Sequence, residues 1–160
     1  MDKVNSNKLC YFRNIDKKSS YLKREELTLL FIDKNNIYDN LTYVQNTINK
    51  FNQEIEWRKM WTREQSITRT NKNHKLFILL EGNNPLGHVW FDRNFLYNAF
   101  VSQERQDGDS VWFIEECIFE MNNKFLIEEV NLKVDSWNKR AIRFWEKLNF
   151  IKENDGYTEH

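Results

Sequence analysis

Residues 97–150 read YNAFVSQERQDGDSVWFIEECIFEMNNKFLIEEVNLKVDSWNKRAIRFWEKLNF. The hydrophobic period changes several times along this stretch, and those changes decide the fold. Leu96 to Val101 form an apolar, aromatic run that ends in Ser102-Gln103-Glu104. A polar turn follows, Arg105-Gln106-Asp107-Gly108-Asp109-Ser110. Val111, Ile114, Ile118 and Met121 then recur at steps of three and four, which is one face of a helix. Val130, Leu132 and Val134 alternate with Asn131, Lys133 and Asp135, the period of a strand with one buried face. Asn138 opens a second helix whose stripe is Ala141, Phe144 and Leu148. Asn149 stands where a left-handed C-cap belongs, and Phe150-Ile151 begins a last extended piece. A strand–helix–strand crossover makes its two strands parallel neighbours, with the helix covering one face.

The turn at Gly108 carries the chemistry. A glycine turn feeding a helix presents free backbone N–H groups and the positive end of the helix dipole, an arrangement that binds phosphate. The spacing Arg105-x-x-Gly108-x-Ser110 resembles the acyl-CoA pyrophosphate loop of the GNAT N-acetyltransferase superfamily. Residues 138–150, NKRAIRFWEKLNF, resemble the same superfamily's Asn-x-x-Ala-x-x-x-Tyr-Glu-Lys-x-Gly-Phe element. The two elements stand in the family's order, separated by a helix and a strand of fitting lengths. The likeness covers residues 75–150 well and the first half in outline.

The resemblance implies an α+β fold. Its central sheet is mixed and mostly antiparallel, with a parallel strand pair in the middle and helices on both faces. One domain over residues 1–160 is the natural reading of this length. The implied reaction moves an acetyl group from acetyl-CoA, a co-substrate, to a primary amine. The acceptor class is a small metabolite such as an amino sugar or an amino acid derivative. A protein N-terminus or lysine is an alternative acceptor, and a binding module that has lost catalysis is another reading. The implied cofactor contacts are the strand edge at Phe100 and Val101, with the Val101 N–H serving the carbonyl oxygen. Arg105, Gln106, Gly108, Asp109 and Ser110 meet the diphosphate, and Asn138 meets the cofactor arm.

Two departures stand out. Asp107 and Asp109 put carboxylates into the phosphate turn, with Asp109 also suited to cap its own helix. Trp145 occupies the place of the family tyrosine that protonates the leaving thiolate, and an indole N–H donates a hydrogen bond without supplying a proton as a phenol does. Tyr97, His88 and Asp92 are the candidate acid–base groups, because they fall where the third and fourth family strands border the acceptor site. Glu115 and Glu116 read as surface residues of a helix.

Composition narrows the remaining choices. Lys and Arg number 24, Asp and Glu 24, so the formal charge is zero and nothing points to nucleic acid. Aromatic residues make up 15%, enough to build a sizeable core. Cys10 and Cys117 are far apart and suggest neither a disulfide nor a metal site. The first residues lack a signal-peptide pattern and no segment is apolar enough to span a membrane, so a cytoplasmic protein is expected.

The first half is read more coarsely. Residues 9–15 are a short extended piece, and residues 16–26 a connection whose charges form a solvated face. Residues 27–32 are a strand, in the place of the family's first. Leu41, Val44, Ile48, Phe51 and Ile55 step by three and four along an amphipathic helix capped by Asp39 or Asn40. A second helix follows a bend and runs towards Ile67, with Trp57 and Trp61, spaced by four, read as core and, in the alternative, as an apolar wall of the acceptor pocket. Residues 75–91 form a β-hairpin. The chain ends soon after Phe150, whereas the family places a full seventh strand beside the fifth. A stub after Asn154-Asp155-Gly156, or a partner subunit in a homodimer, is expected to supply it.

Overall fold

The computed structural model describes residues 7–16 and 24–153. Its elements in chain order are β1 (Lys8–Asn14), β2 (Leu27–Ile32), a 3-10 turn (Ile37–Asn40), α1 (Leu41–Glu54), α2 (Arg63–Asn71), β3 (Lys75–Glu81), β4 (Asn84–Asp92), β5 (Phe95–Val101), α3 (Asp109–Phe125), β6 (Glu129–Asp135), α4 (Lys139–Lys147) and β7 (Ile151–Lys152). They build one seven-stranded sheet in the order β2-β3-β4-β5-β6-β1-β7. All neighbours are antiparallel except β5 and β6, which are parallel. The expected α+β architecture, with its parallel pair in the middle, is what the chain adopts.

Apolar periodicity sets the two layers. Val44, Ile48 and Phe51 of α1 pack with Ile78, Leu80, Trp90 and Phe100 on one face of the sheet. Val111, Ile114, Ile118 and Met121 of α3 pack with Phe77, Val89, Val130 and Leu132 on the other, joined there by Trp145 and Leu148 at the end of α4. The β3–β4 connection is only Gly82-Asn83, with Gly82 at φ 62°, a left-handed conformation that glycine adopts without strain.

Helix ends follow local chemistry. Thr62 and Gln65 form a reciprocal capping box at the start of α2. Their spacing, Thr-x-x-Gln, is a start signal that puts the helix at residue 63, so residues 55–62 form a loop rather than helix. At the other end of the chain, Asn149 is left-handed at φ 69°. The amide of Asn149 donates to the Glu146 carbonyl and that of Phe150 to the Trp145 carbonyl, the two bonds of a Schellman stop.

The far side of the sheet corrects the sequence reading. The strand beside β6 is β1, the chain's own N-terminal strand, paired antiparallel from Lys8↔Asp135 to Asn14↔Glu129. It lies between β6 and the short β7. Thus the position left to a C-terminal stub or a partner subunit is filled from within the chain. Residues 154–160, where the stub was expected, lie outside the described residues. A buried ion pair ties β1 down: Arg13 Nη1 donates to Glu115 Oε2 at 2.8 Å and Nη2 to Glu115 Oε1 at 3.1 Å. Arg13 Nη1 also donates to the Leu148 carbonyl at 3.2 Å. Glu115 is therefore a core residue, only 1% exposed, and not the surface residue its type suggested.

Candidate active site

The parallel pair opens the site. β5 and β6 register at one point only, Phe95↔Asn131, where the Asn131 amide donates to the Asn94 carbonyl at 2.9 Å. Beyond it the strands diverge. Between His88↔Phe100 and Trp90↔Tyr97, two residues of β5, Asn98 and Ala99, face the single residue Val89. This is a β-bulge with Asn98 left-handed at φ 55°, and such a bulge leaves backbone groups without ladder partners. The bulge turns that backbone towards the gap.

The gap contains two adjoining cavities. One, of about 430 Å³, lies among Tyr97, Trp61, Arg58, Lys133 and Asp135. The other, of about 310 Å³, lies among Val101, Arg105, Ser110, Ile114 and Arg140. Ala99, Asn138, Ala141 and Trp145 line both, so the two are halves of one cleft, joined beside the bulge.

The second half runs to the mouth of α3. Gly108 is the N-cap, left-handed at φ 90°, with nothing within 4 Å of the place a Cβ would take. The amides of Ser110 and Val111, in the first turn, have no intrahelical acceptor. Arg105 and Arg140 add two cations to this end.

Carboxylates also reach the turn. Asp109 is not the cap of its helix but its first residue. Its Oδ2 accepts the Gln106 amide at 3.0 Å and Arg24 Nη2 at 2.7 Å, while Oδ1 accepts Arg24 Nε at 3.2 Å. Burial pushes the Asp109 carboxyl up, but the Arg24 hydrogen bonds, the Gln106 amide and the nearby cations outweigh it and hold the group below its ordinary range. Arg24 bonds Glu81 and Glu26 as well, so it is a buttress of the turn and not part of a solvated face. Glu54, at the end of α1, accepts Ser102 Oγ at 2.6 Å and the Gln103 amide at 2.9 Å. Two amides of the loop are thus occupied by carboxylates, while the mouth of the helix and the cleft beside it stay open. With the Asp109 carboxylate held on Arg24 and the Gln106 amide, the remaining cations, Arg105 and Arg140, and the first-turn amides suit a diphosphate. Asp107 is exposed.

The other half holds the acid–base candidates. Tyr97 lines it, and the Tyr97 hydroxyl is hydrogen-bonded to His74 Nδ1. His74 Nε2 faces Asp92 Oδ2 at 3.7 Å. Two of the three candidate groups, Tyr97 and Asp92, are therefore linked through His74, which stands just before β3. Burial pushes the Tyr97 phenol up to about 12, against the opposing charge and hydrogen bond of Arg69. Burial lowers the His74 pKa, with Asp92 pulling the other way. Arg69 lies 3.8 Å over the centre of the Trp61 ring, which meets Tyr97 at 5.9 Å between centroids. Trp57, read as core, is 71% exposed in the 55–62 loop.

His88, the third candidate, points away from the cleft. It is fully buried under α1, shares a 2.7 Å hydrogen bond with the Thr47 hydroxyl, and packs between Phe51 and Phe100. Phe100 likewise turns its ring into this layer, while Val101 lines the cleft. Burial, helped by Arg58, lowers the His88 pKa to about 3. The unfolded chain takes up this proton near pH 6.5 and the folded chain only near 3, so between those values the unfolded state binds more protons. Stability is expected to fall as pH drops through that window, by up to about 1.4 kcal/mol per unit from this group. Urea unfolding from pH 7 to 4 checks it, and His88→Gln should flatten the slope.

No protein-family model matches the sequence, and no curated protein matches it. Solved structures do. An aminoglycoside acetyltransferase from an uncultured soil metagenomic sample, in complex with sisomicin, has a TM-score of 0.57 at 16% identity, over 77% of this chain and 87% of its own. An acetyltransferase of the GNAT family from Streptococcus pneumoniae has a TM-score of 0.60 at 16% identity, over 81% and 87%. A GCN5-related N-acetyltransferase from Sphaerobacter thermophilus has a TM-score of 0.59 at 14% identity, over 91% of this chain and 48% of its own. The fold is therefore that of the GNAT acetyltransferases. Among the described residues no helix is long and apolar enough to cross a membrane.

Proposed function

We propose that this protein is an N-acetyltransferase that uses acetyl-CoA to acetylate a primary amine. The observation that carries this reading is the single cleft between β5 and β6, which joins an amide-rich helix mouth to a pocket lined by Tyr97. When bound, acetyl-CoA supplies an activated thioester whose acyl carbon is open to attack by an amine.

The chain's own groups then have separate tasks. Arg105, Arg140 and the amides of Ser110 and Val111 hold the diphosphate, with Gly108 allowing the turn. The bulge at Asn98–Ala99, next to Phe100 and Val101, offers backbone N–H groups to the developing oxyanion. Asn138 is committed to capping α4 through its Oδ1, which accepts the Ala141 amide at 3.1 Å, and so positions Ala141 and Trp145 on the cleft wall. Proton removal from the amine falls to Tyr97, whose own hydroxyl proton passes to His74 Nδ1; the C–S bond would break as the C–N bond forms, and the released thiolate would take its proton from solvent, since Trp145 has none to give. This needs His74 neutral with its proton on Nε2, facing Asp92, and the lowered pKa of His74 keeps it neutral near pH 7.

Acetyl-CoA is expected to raise the unfolding midpoint of the protein, since ligand that binds only the folded state stabilises it. Gly108→Glu should abolish that shift. The left-handed φ makes the substitution cost about 1–2 kcal/mol, so the variant still folds and circular dichroism should show it. An unchanged shift in the variant would remove the turn from the site. The loop carboxylates Glu54 and Asp109 favour a second reading, a binding module without transfer. Thiol release across a panel of amines separates the two.

A further inference from the structure

We infer that the acceptor is an amine that also carries an anionic group, a carboxylate or a phosphate, on a flat or apolar body. The inference rests on the acetyltransferase reading for the identity of the pocket, and on the pocket's charges for everything else. Four charged side chains line the Tyr97 half of the cleft: Lys8, Arg58, Lys133 and Asp135. Lys8 and Asp135 are paired at 2.8 Å and cancel. Arg58 and Lys133 have no carboxylate partner among the described residues, and Arg58 donates only to the neutral Asn98 Oδ1 at 3.1 Å. Among the described residues the pocket thus keeps two cations without a carboxylate partner, although the formal charge of the whole chain is zero.

The cations have two chemical consequences. They attract an anion on the acceptor and repel a polycation, since like charges brought together in a partly shielded cavity oppose binding. They also disfavour the ammonium form of the acceptor amine, so more of it is present as the free nucleophile. An anion seated near Arg58 and Lys133 leaves the amine free to turn towards Tyr97. The flat part of the acceptor has the Trp61 ring to rest against, which lines the cavity and is itself held by Arg69 over its centre. Polycationic amines such as aminoglycosides fit none of this, whatever the likeness in fold.

Matched pairs test the inference by binding, independently of turnover. Calorimetric titration of the CoA-bound protein is done with phenylalanine against phenylalanine amide, and with glucosamine 6-phosphate against glucosamine. Sisomicin serves as the polycation. At least one member bearing the carboxylate or phosphate is expected to bind ten times or more tightly than its partner lacking that group, and sisomicin more weakly than either. Which pair shows the preference distinguishes carboxylate from phosphate. Arg58→Ala and Lys133→Ala, both at exposed positions, should each bring the preferred ratio down several-fold. Equal binding within both pairs, tighter binding of sisomicin, no binding by any member, or a ratio that both variants leave unchanged would overturn the inference. The acetyltransferase reading is judged separately, by thiol release from acetyl-CoA.

Discussion

Replacing Glu115 with alanine is expected to destabilise the protein by about 3–5 kcal/mol, because it removes the carboxylate that holds the buried Arg13 guanidinium by two hydrogen bonds. Arg13 is 4% exposed and Glu115 1%, so neither charge can be rescreened by water without opening the structure. A loss of that size is a large share of the about 5–15 kcal/mol by which domains are stable. The damage should also spread. Arg13 joins β1 to α3 and to the carbonyl of Leu148, at the end of the helix that carries Trp145. Loosening it frees the inserted strand and one wall of the cleft together. Removing both charges in Arg13→Met with Glu115→Leu is expected to recover most of the loss, since a packed apolar pair often replaces a buried ion pair at little cost. Urea unfolding of the two variants checks both statements. A loss below about 1 kcal/mol for Glu115→Ala would mean that the pair behaves as a surface pair.

Tyr97→Phe is expected to lower kcat by about 10²–10⁴-fold, the usual contribution of a positioned acid–base group, while the KM for acetyl-CoA holds. The ring stays, so its contacts with Trp61 and Trp90 survive and only the hydroxyl is lost. His74→Asn should give a loss of similar order, and the double variant should be little worse than either single one, because the two act as one relay. On the proposed mechanism, kcat of the unsubstituted protein should fall as pH drops through the His74 pKa, which lies below its ordinary value. The limb should vanish in His74→Asn. Full-rate transfer by Tyr97→Phe would take proton removal away from Tyr97.

The elements that place the relay were only partly legible in the sequence. Tyr97 and Asp92 were visible as polar groups at strand ends, but His74 carries no local signal. It joins them because β3, β4 and β5 lie side by side and bring its ring to residues 18 and 23 positions on. Glu115 shows a different failure. It stands four residues after Val111 and three before Ile118, on the buried stripe, so position argued for the core while residue type argued for the surface. Position prevailed because β1 delivers Arg13 to the same place. The capping box at Thr62 and Gln65 was there to be read, and it would have ended the loop at the correct residue.

Periodicity and turn chemistry, both local, were enough to determine the crossover from β5 through α3 to β6, the hairpin, the left-handed stop at Asn149 and the open turn at Gly108. Tertiary structure alone decided that β1 fills the sheet beside β6, that Arg24 binds Asp109 across 85 residues, and that Tyr97 meets His74. The reason is physical: a side chain's period reports which face it shows, whereas its partner is chosen by how the layers pack.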